Sequence, residues 1–308
     1  MSRKPILITG SHRSGTTWVG QMLSLPADII YIHEPFNIDI KKTGCEPEFP
    51  YRFTYVDTAN EKKYMEPLQE MLDRRCPQPS KSTSRWTRFY WSSMLAGRLD
   101  YWYKRIPWFR PLMKDPIALF SSEWLAERFD MDVVVMIRQP ASFVGSIKKA
   151  EWEFPFDHIL QQPRLIQRYL SGFEAEILDY TNNKRSIVEQ AVLLWKLFHT
   201  VIDHYRVEKA QWIFLRQEDV ASEPVKEYKN LYKRLGITYK SKYDRVIESH
   251  SHVNGSNARL TKYSHIVRES SSTVNDWKDR LSHDEYQYVM SETAELALKF
   301  YTREELGI

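Results

Sequence analysis

Residues 5–18 read PILITGSHRSGTTW and join a short apolar run to a glycine-rich loop. The apolar run, residues 5–9, is typical of a buried strand, and residues 16–25 carry apolar side chains at helical spacing. The loop between them keeps the G-x-x-x-x-G-K-[ST] spacing of a phosphate-binding loop, except that Thr16 stands at the lysine position. Backbone N–H groups converge at such a turn, and the helix dipole favours negative charge there. The stretch therefore predicts an anion site.

Arg13 is the cation that this loop offers in place of the missing lysine. In nucleoside triphosphatases that lysine reaches the β- and γ-phosphates, and the hydroxyl after it holds Mg²⁺. No separate acidic motif stands out in the sequence as a magnesium anchor, whereas an arginine fork suits a group of fixed anionic oxygens. The loop therefore favours a phosphate or sulfate donor that is handled without metal.

A second anion site is predicted by residues 132–152, which read DVVVMIRQPASFVGSIKKAEW. The stretch begins with the strongest strand signal in the chain. Arg138 falls at the carboxyl end of that strand, where open α/β sheets bind ligands. Pro140 is well placed to begin a helix, and Ser146 lies about two turns into it. Together Arg138 and Ser146 can hold an anion near the first one.

Both stretches resemble the sulfotransferase family, whose donor is 3′-phosphoadenosine 5′-phosphosulfate (PAPS). The family's 5′-phosphosulfate loop reads [KR]-S-G-T-T-W, like residues 13–18, and its 3′-phosphate element has an arginine followed eight residues later by a serine, like Arg138 and Ser146. Residues 215–224 (LRQEDVASEP) and 275–282 (NDWKDRLS) resemble two further family segments, in the family's order. The resemblance implies a set of donor-binding residues. These are Arg13, Ser14, Gly15, Thr16, Thr17, Trp18, Arg138, Ser146, Arg268 and Trp277.

The chain departs from the cytosolic aryl and steroid enzymes of that family at two places. Those enzymes carry an R-K-G triplet before G-D-W-K, where this chain has three serines at 270–272 and Arg268 slightly upstream. They also place a catalytic histidine after a K-T-H strand end, where this chain reads LMKDP (112–116). The pattern more closely resembles the bacterial and carbohydrate-type sulfotransferases.

Three residues are candidates for a general base, which an acceptor hydroxyl needs because its own pKa lies far above neutrality. Glu34 lies in YIHEPFN (31–37), just past the second predicted strand, and several carbohydrate-type sulfotransferases have a glutamate in such an E-P segment. Asp115, at the end of the third strand, is the second candidate, and His33 is the third. Glu34 is favoured because of the resemblance.

Arg13 is the second residue expected to act in the reaction. Sulfuryl transfer, like phosphoryl transfer, passes through a loose in-line transition state, in which positioning and charge stabilisation matter most. Arg13 would neutralise the 5′-phosphate and the bridging oxygen as the sulfuryl group departs, with the hydroxyls of Thr16 and Thr17 assisting.

The order of the elements predicts an α/β fold of the P-loop type. Strands that alternate with helices imply a parallel sheet with right-handed crossovers and helices on both faces. Candidate strands are 5–9, 29–33, 111–114, 133–137 and 212–215. Candidate helices lie near 16–25, 61–75, 85–103, 119–129, 141–150, 163–180, 186–208, 223–235 and 282–301. We expect one sulfotransferase-like domain over residues 1–308, with a helical insertion at about 50–110 between the second and third strands.

Residues 81–114 stand out in composition, with eight basic residues against one acidic residue and nine aromatic residues. Aromatic rings that pack inward while Arg and Lys extend outward would account for this. A second interpretation is an acceptor platform, in which rings such as Trp86, Trp91, Trp102 and Trp108 stack on sugar faces. A third is peripheral contact with an anionic membrane surface, which would suit a lipid-linked glycan.

The overall composition agrees with a soluble enzyme. The chain of 308 residues is 42% hydrophobic and 27% charged, enough for one large core. We expect a cytoplasmic protein, because no apolar run approaches about 20 residues and a strand already begins at residue 5. Cys45 and Cys76 suggest neither a disulfide framework nor a zinc site. The net charge of +4 does not argue for nucleic acid, and nothing in the sequence indicates the oligomeric state.

These observations predict a sulfotransferase that transfers a sulfuryl group from PAPS, without metal, to a hydroxyl of a saccharide or glycolipid acceptor. A P-loop kinase acting on a small metabolite is one alternative, and the missing lysine argues against it. A non-catalytic nucleotide-binding protein is another, which would keep the donor loops and lose the base.

Overall fold

Five parallel strands form the centre of the fold. The computed structural model describes residues 4–40, 47–73, 109–251 and 276–308. The strands are β1 (Ile6–Gly10), β2 (Ile29–His33), β3 (Arg110–Lys114), β4 (Asp132–Ile137) and β5 (Ile213–Arg216), and their order across the sheet is β2-β3-β1-β4-β5. All five predicted strands are confirmed, with ends that differ by no more than one residue.

The central position of β1 brings the ends of all five strands together. β1 pairs with β3 on one side, where Ile8 aligns with Lys114, and with β4 on the other, where Gly10 aligns with Met136. Because every pairing is parallel, the five carboxyl ends meet at one edge of the sheet. Any ligand site of an open α/β sheet is expected at that edge.

Helices surround the sheet in the described part of the chain. Those of eight or more residues are α1 (Thr16–Leu23), α2 (Lys62–Leu72), α3 (Ser122–Phe129), α4 (Pro140–Lys149), α5 (Glu174–Asn182), α6 (Ile187–Glu208), α7 (Pro224–Arg234), α8 (Lys242–Ser251) and α9 (His283–Ala297). Short α-helices lie at Asp157–Leu160, Pro163–Leu165, Gln217–Ser222 and Arg303–Leu306. Short 3₁₀-helices lie at Pro116–Ser121, Ser171–Phe173 and Asp276–Asp279. Among the helices that the structure describes, none is both long and apolar enough to cross a membrane.

Alternate strand residues face two apolar cores, one on each side of the sheet. Leu7 of β1 belongs to one core, to which α3, α4 and α6 contribute. Its neighbours Ile6 and Ile8 belong to the other core, together with residues of α1, α7 and α8. Successive side chains of a strand point to opposite faces, so a sheet buried on both faces needs the nearly continuous apolar runs seen in the sequence. The predicted α/β architecture with helices on both faces is confirmed.

Several predicted helices differ from the observed ones. The single helix predicted over 163–180 is interrupted. A three-residue helical turn and a π-helix (Ile166–Leu170) are followed by a 3₁₀ turn that contains Gly172. The regular helix α5 begins only at Glu174. Glycine weakens a helix interior by about 1 kcal/mol, which explains a break at this position. α8 and the short helix Gln217–Ser222 were not predicted. The helix predicted at 85–103 lies outside the described residues, and the single domain with its insertion at about 50–110 stays a prediction.

The Arg110 guanidinium forms hydrogen bonds with three segments of the chain at the amino edge of the sheet. The residue is only 4% exposed, although the sequence places it in the basic and aromatic stretch 81–114. Its Nε donates to the Lys4 carbonyl oxygen at 2.6 Å, and its Nη atoms donate to the Leu235 carbonyl oxygen and to the Asp132 carboxylate. Leu235 is the C-cap residue that follows α7, so the guanidinium satisfies a carbonyl that the helix itself leaves unpaired.

Replacing Arg110 by leucine should therefore destabilise the fold without affecting the carboxyl edge of the sheet. Arg110→Leu keeps an apolar stem but leaves three acceptors without this donor, and we expect a loss of about 3 kcal/mol in the free energy of unfolding. Chemical denaturation measures this. Arg128→Leu removes a more exposed ion pair with Glu61 and should cost less than about 1 kcal/mol. Equal losses for the two variants would contradict the stabilising role of Arg110.

Candidate functional site

A cleft of about 390 Å³ lies at the carboxyl edge of the sheet. Segments that follow all five strands contribute to it, as expected for a ligand site in an open α/β sheet. The cleft is lined by His12, Arg13, Gly15, Thr16, Thr17, Trp18, Glu34, Asn37, Asp39, Arg52, Pro116, Ile117, Arg138, Ser146, Ile147, Ala150, Trp152, Gln217 and Arg280. A smaller cleft of about 240 Å³ lies at the opposite edge, around Lys4 and Asp132, and none of the predicted site residues lines it.

The loop after β1 makes a sharp turn, in which two residues adopt positive φ angles. Arg13 has φ 64° and Gly15 has φ 82°, and Gly15 directly precedes the first residue of α1. The Ser14 hydroxyl is fully buried and donates to the Ser11 carbonyl oxygen, which closes the loop on itself. Of the predicted loop residues, Arg13, Gly15, Thr16, Thr17 and Trp18 line the cleft, whereas Ser14 supports the loop from inside. The α1 N-terminus faces the same cleft, an arrangement suited to an anion.

The two predicted anion sites are connected by direct hydrogen bonds. Arg13 Nε donates to Ser146 Oγ at 3.1 Å, which joins the loop to α4. Arg138 Nη1 donates to the Arg13 carbonyl oxygen, and Trp195 Nε1 donates to the Arg138 carbonyl oxygen at 2.9 Å. All three of the predicted residues in this network, Arg13, Arg138 and Ser146, line the cleft.

Arg138 carries a positive charge in an unusually buried position. It is 3% exposed, and among the described residues its Nε has no hydrogen-bond partner. Burial lowers the pKa of Arg138 to about 10, although Glu218 acts in the opposite direction. The group therefore remains charged at neutral pH and has an N–H available for an anionic oxygen.

The segment after the 3₁₀-helix at Asp276–Asp279 contributes an arginine that the sequence did not indicate. Trp277 packs against α4, where a side chain at Gly145 would lie 3.2 Å from Trp277 Cβ, and its ring stacks on Tyr286 with centroids 4.8 Å apart. Trp277 is absent from the cleft lining, whereas Arg280 lines it. Arg280 also lies close enough to Arg138 to lower the pKa of Arg138. Arg268 lies outside the described residues.

Glu34 lies in the cleft as an ionised carboxylate. Its N–H donates to the Lys114 carbonyl oxygen at 2.9 Å, which holds the backbone at an unusual φ of 45°. The Lys114 ammonium donates to one carboxylate oxygen, and Asn37 Nδ2 donates to the other at 2.7 Å. Burial raises the pKa of Glu34, but the charges of Lys114 and His33 and these hydrogen bonds outweigh it and leave the pKa below its usual value.

The other two base candidates lie differently. Asp115 is fully buried, and its two oxygens accept the N–H groups of Phe36 at 2.7 Å and Ile117 at 2.9 Å. Burial, and then the charge of Glu34, raise the pKa of Asp115 to about 7. His33 is exposed at the end of β2, with Nδ1 3.4 Å from the Tyr31 hydroxyl. Neither Asp115 nor His33 is part of the cleft lining.

Besides Arg280, sequence patterns did not indicate Lys114, His12, Arg52 or Trp152 at this edge of the sheet. Lys114 is fully buried and pairs with Glu34, a contact that bridges 80 positions of sequence. The one available signal was a lysine at the end of an otherwise apolar strand, in the same LMKDP segment that drew attention to Asp115. Of the basic and aromatic stretch 81–114, for which an acceptor platform was one interpretation, residues 81–108 lie outside the described residues.

Comparisons with known proteins agree with these motifs. Residues 5–241 match the family model described as "Sulfotransferase family". Similar solved structures include the sulfotransferase domain from the curacin biosynthetic pathway, with 14% identity over 95% of this chain and 99% of that one and a TM-score of 0.47. Mouse sulfotransferase SULT7A1 complexed with PAP has 14% identity over 100% of this chain and 88% of that one, with a TM-score of 0.47. The sulfotransferase domain from the Synechococcus PCC 7002 olefin synthase has 13% identity over 97% and 95%, with a TM-score of 0.48. No curated protein matches the sequence.

Replacing Lys114 should raise the pKa of Glu34. Lys114→Met removes the nearest positive charge while the glutamate stays buried, so the ionised form loses its main support. Carboxyl NMR of protein labelled on glutamate measures the titration, with Glu34→Gln identifying the signal. Lys148→Met, which removes a partner of Glu285 outside the cleft, should leave the pKa of Glu34 unchanged. A Glu34 pKa that stays below its usual value in Lys114→Met would show that Lys114 is not its cause.

Proposed function

This chain belongs to the sulfotransferase family, and we propose that it transfers the sulfuryl group from PAPS to a hydroxyl of a carbohydrate or glycolipid acceptor. The observation that carries the proposal is a single cleft lined by both a phosphate-binding loop and an ionised glutamate. Sulfuryl transfer to a hydroxyl needs these two parts, a cradle for an anionic donor and a group that receives the acceptor proton.

The described residues fit the two charged ends of the donor. Arg13, the hydroxyls of Thr16 and Thr17 and the start of α1 would hold the 5′-phosphosulfate. Arg138 and Ser146 would hold the 3′-phosphate, and Arg280, on the same wall of the cleft, would add a second cation. The buried Arg138 Nε supports this assignment, because a buried donor without an acceptor costs about 1–3 kcal/mol and a phosphate oxygen would remove that cost.

In the proposed chemical step, Glu34 receives the acceptor proton and Arg13 stabilises the charge on the leaving group. The acceptor oxygen forms a bond to sulfur while the bond from sulfur to the bridging oxygen of the 5′-phosphate breaks, and the acceptor proton passes to the Glu34 carboxylate. Arg13 stabilises the charge that develops on the bridging oxygen. Because the acceptor hydroxyl becomes acidic only as it bonds to sulfur, a weak base in the right position is sufficient. Lys114 makes Glu34 such a base, since it fixes the carboxylate and lowers its proton affinity.

Position in the cleft supports Glu34 over Asp115 as the base. A pKa of about 7 would suit a general base, which is the argument in favour of Asp115. Both of its oxygens, however, already accept backbone N–H groups in a fully buried position. Geometry comes before pKa in identifying a base, because the group must reach the proton.

An assay without metal tests the proposal as a whole. The protein is incubated with ³⁵S-labelled PAPS in EDTA and with a panel of glycosides, glycolipids and phenols. Transfer of label to a glycoside or glycolipid is expected. Transfer of phosphate from ATP that requires Mg²⁺, with no transfer from PAPS, would instead identify a kinase. Binding of 3′-phosphoadenosine 5′-phosphate (PAP) without transfer to any acceptor would indicate a non-catalytic nucleotide-binding protein.

Removing Arg280 should weaken binding at the 3′-phosphate alone. We expect Arg280→Ala to raise the dissociation constant of PAP at least about tenfold, the effect of one lost charge-assisted contact, and to change that of 5′-AMP little. Calorimetry in EDTA measures both constants. Arg206→Ala, which breaks an ion pair with Asp203 on α6, serves as the control and should change neither. Equal losses for PAP and 5′-AMP would exclude Arg280 from the 3′-phosphate site.

Variants of Glu34 and Asp115 should show which carboxylate acts in catalysis and which one stabilises the fold. Glu34→Gln should lower kcat about 100-fold or more while PAP affinity stays unchanged, because glutamine keeps the shape and cannot accept the proton. Asp115→Asn should lower the free energy of unfolding by about 1–3 kcal/mol, because one backbone N–H then meets an NH₂ group, and should keep most of kcat. A folded but inactive Asp115→Asn together with an active Glu34→Gln would transfer the role of base to Asp115.

A further inference from the structure

Under the proposed function, the cleft divides into a half that holds the charged ends of the donor and a second half. Arg13, Arg138, Ser146 and Arg280 belong to the donor half under the proposed function. Glu34 marks the boundary, since the acceptor hydroxyl must reach both its carboxylate and the sulfur. Thr16, Thr17 and Trp18 belong to the donor half as well, and Gln217 lies against Gly15 of the donor loop. The other polar or aromatic side chains of the lining are His12, Asn37, Asp39, Arg52 and Trp152.

These side chains form an unbroken path of contacts from Glu34. Asn37 donates to Glu34, and its own Oδ1 accepts the Asp39 N–H at 2.9 Å. Arg52 Nη2 lies 3.0 Å from the Asp39 carboxylate.

The path continues through Trp152 to the phosphate-binding loop. The Arg52 guanidinium lies over the Trp152 ring, 5.7 Å from its centroid, and the Trp152 and His12 ring centroids are 4.1 Å apart. His12 precedes Arg13 directly in the sequence. The second half of the cleft is therefore bounded by one connected wall that begins at the base candidate and ends at the donor loop.

Arg52 is held in a fixed orientation within this wall. Its side chain is only 23% exposed, and its backbone N–H donates to His158 Nδ1 at 3.0 Å. Its contacts with the indole ring and with the Asp39 carboxylate restrict the motion of the guanidinium, while other N–H groups remain to donate to a ligand. A donor placed in advance loses little entropy when it binds a ligand.

His12 adds a polar group that the fold does not use. It is 6% exposed, and among the described residues neither ring nitrogen has a hydrogen-bond partner. Its ring packs among Phe53, Phe143, Trp152 and Phe198. Burial, and then the charge of Arg13, lower the pKa of His12 well below its usual value, so the ring is neutral and offers one donor and one acceptor. A buried polar group without a partner is costly, and a ligand hydroxyl would remove the cost.

We infer that the wall formed by His12, Asn37, Asp39, Arg52 and Trp152 is an acceptor subsite for a sugar residue with two free vicinal hydroxyls beside the one that is sulfated. The inference rests on the proposed function. A guanidinium that donates beside a carboxylate that accepts matches a vicinal diol, in which each hydroxyl can do both. Because Arg52 and Asp39 carry opposite charges, the pair does not demand a charged ligand. Trp152, Ile117 and Pro116 supply apolar surface for the C–H face of the sugar ring.

The experiment compares matched acceptors in matched variants. The probes are a methyl glycoside that the wild-type enzyme sulfates, its monodeoxy analogues at the two neighbouring positions, and a simple phenol. Arg52→Ala and Asp39→Asn should each raise the KM of the parent glycoside about tenfold, with kcat within about threefold and PAP affinity unchanged. For the deoxy analogue that has lost the contacted hydroxyl, the wild-type KM is already high and the same variants should add little.

Arg164→Ala provides the matched control. Arg164 also pairs with an aspartate, Asp57, at 2.8 Å, but lies outside the cleft lining, so its removal should change neither KM nor PAP affinity. His12→Phe keeps an aromatic ring among Phe53, Phe143, Trp152 and Phe198 but removes the ring nitrogens. It should therefore raise the KM of the glycoside without lowering PAP affinity.

The outcomes distinguish the inference from the function on which it rests. Unchanged glycoside KM values in both Arg52→Ala and Asp39→Asn overturn the subsite while sulfotransferase activity stands. Equal effects on the parent and on both deoxy analogues overturn the recognition of a vicinal diol. Loss of PAP affinity in Arg52→Ala would show that Arg52 binds the donor, which overturns its assignment to the acceptor half of the cleft. A wild-type enzyme that binds PAP and sulfates only the phenol contradicts the carbohydrate acceptor itself, and the subsite with it.

Discussion

The close approach of two strands at Gly10 is the constraint on which the rest of the site depends. Gly10 has φ 131°, and a Cβ atom there would lie 2.3 Å from the carbonyl oxygen of Met136. Only glycine fits, and the strands cannot separate locally without breaking a parallel register that runs from Ile6 to Gly10. The chain therefore leaves the central strand at one point and in one direction. The positions of the glycine-rich loop and of the start of α1 follow from that exit.

The loop is then held in place by β4 and the helices packed behind it. Arg138 follows β4 and binds the backbone of Arg13, while Trp195 of α6 binds the backbone of Arg138. The next residue, Gln139, donates its N–H to Glu218 at 3.0 Å, and Glu218 also accepts from Tyr301 at 2.9 Å. The two ends of the proposed donor site are thus joined by one network of hydrogen bonds. Because a change at Arg138 would also disturb Arg13, Arg280 is the cleaner test of the proposed 3′-phosphate site.

The sequence was sufficient wherever a feature depends on neighbouring residues. Short apolar runs predicted all five strands, and the glycine spacing predicted a loop that the structure confirms as part of a cleft. The sequence alone was insufficient to predict a residue's role where that role depends on contacts with distant parts of the chain. The pairing of Lys114 with Glu34, and of Arg52 with Trp152, joins segments that no local pattern relates. The uninterrupted helix predicted at 163–180 failed for another reason, because apolar spacing alone does not detect a break at Gly172.

Lys114 decides which of two neighbouring carboxylates carries the negative charge. Glu34 follows β2 and Asp115 follows β3, and burial, together with the charge on Glu34, raises the pKa of Asp115. The two carboxylates interact, so ionising one makes the other easier to protonate. The ammonium of Lys114 bonds to Glu34, whereas the hydrogen bonds that Asp115 accepts from described residues come from backbone N–H groups. Its own N–H donates to the Ile8 carbonyl oxygen at 2.8 Å, which fixes Asp115 to the central strand. The ionised carboxylate is therefore the one that faces the cleft, whereas Asp115, with a pKa of about 7, is only partly ionised at neutral pH. Environments that separate two pKa values in this way can supply an ionised carboxylate at neutral pH, which the proposed base requires.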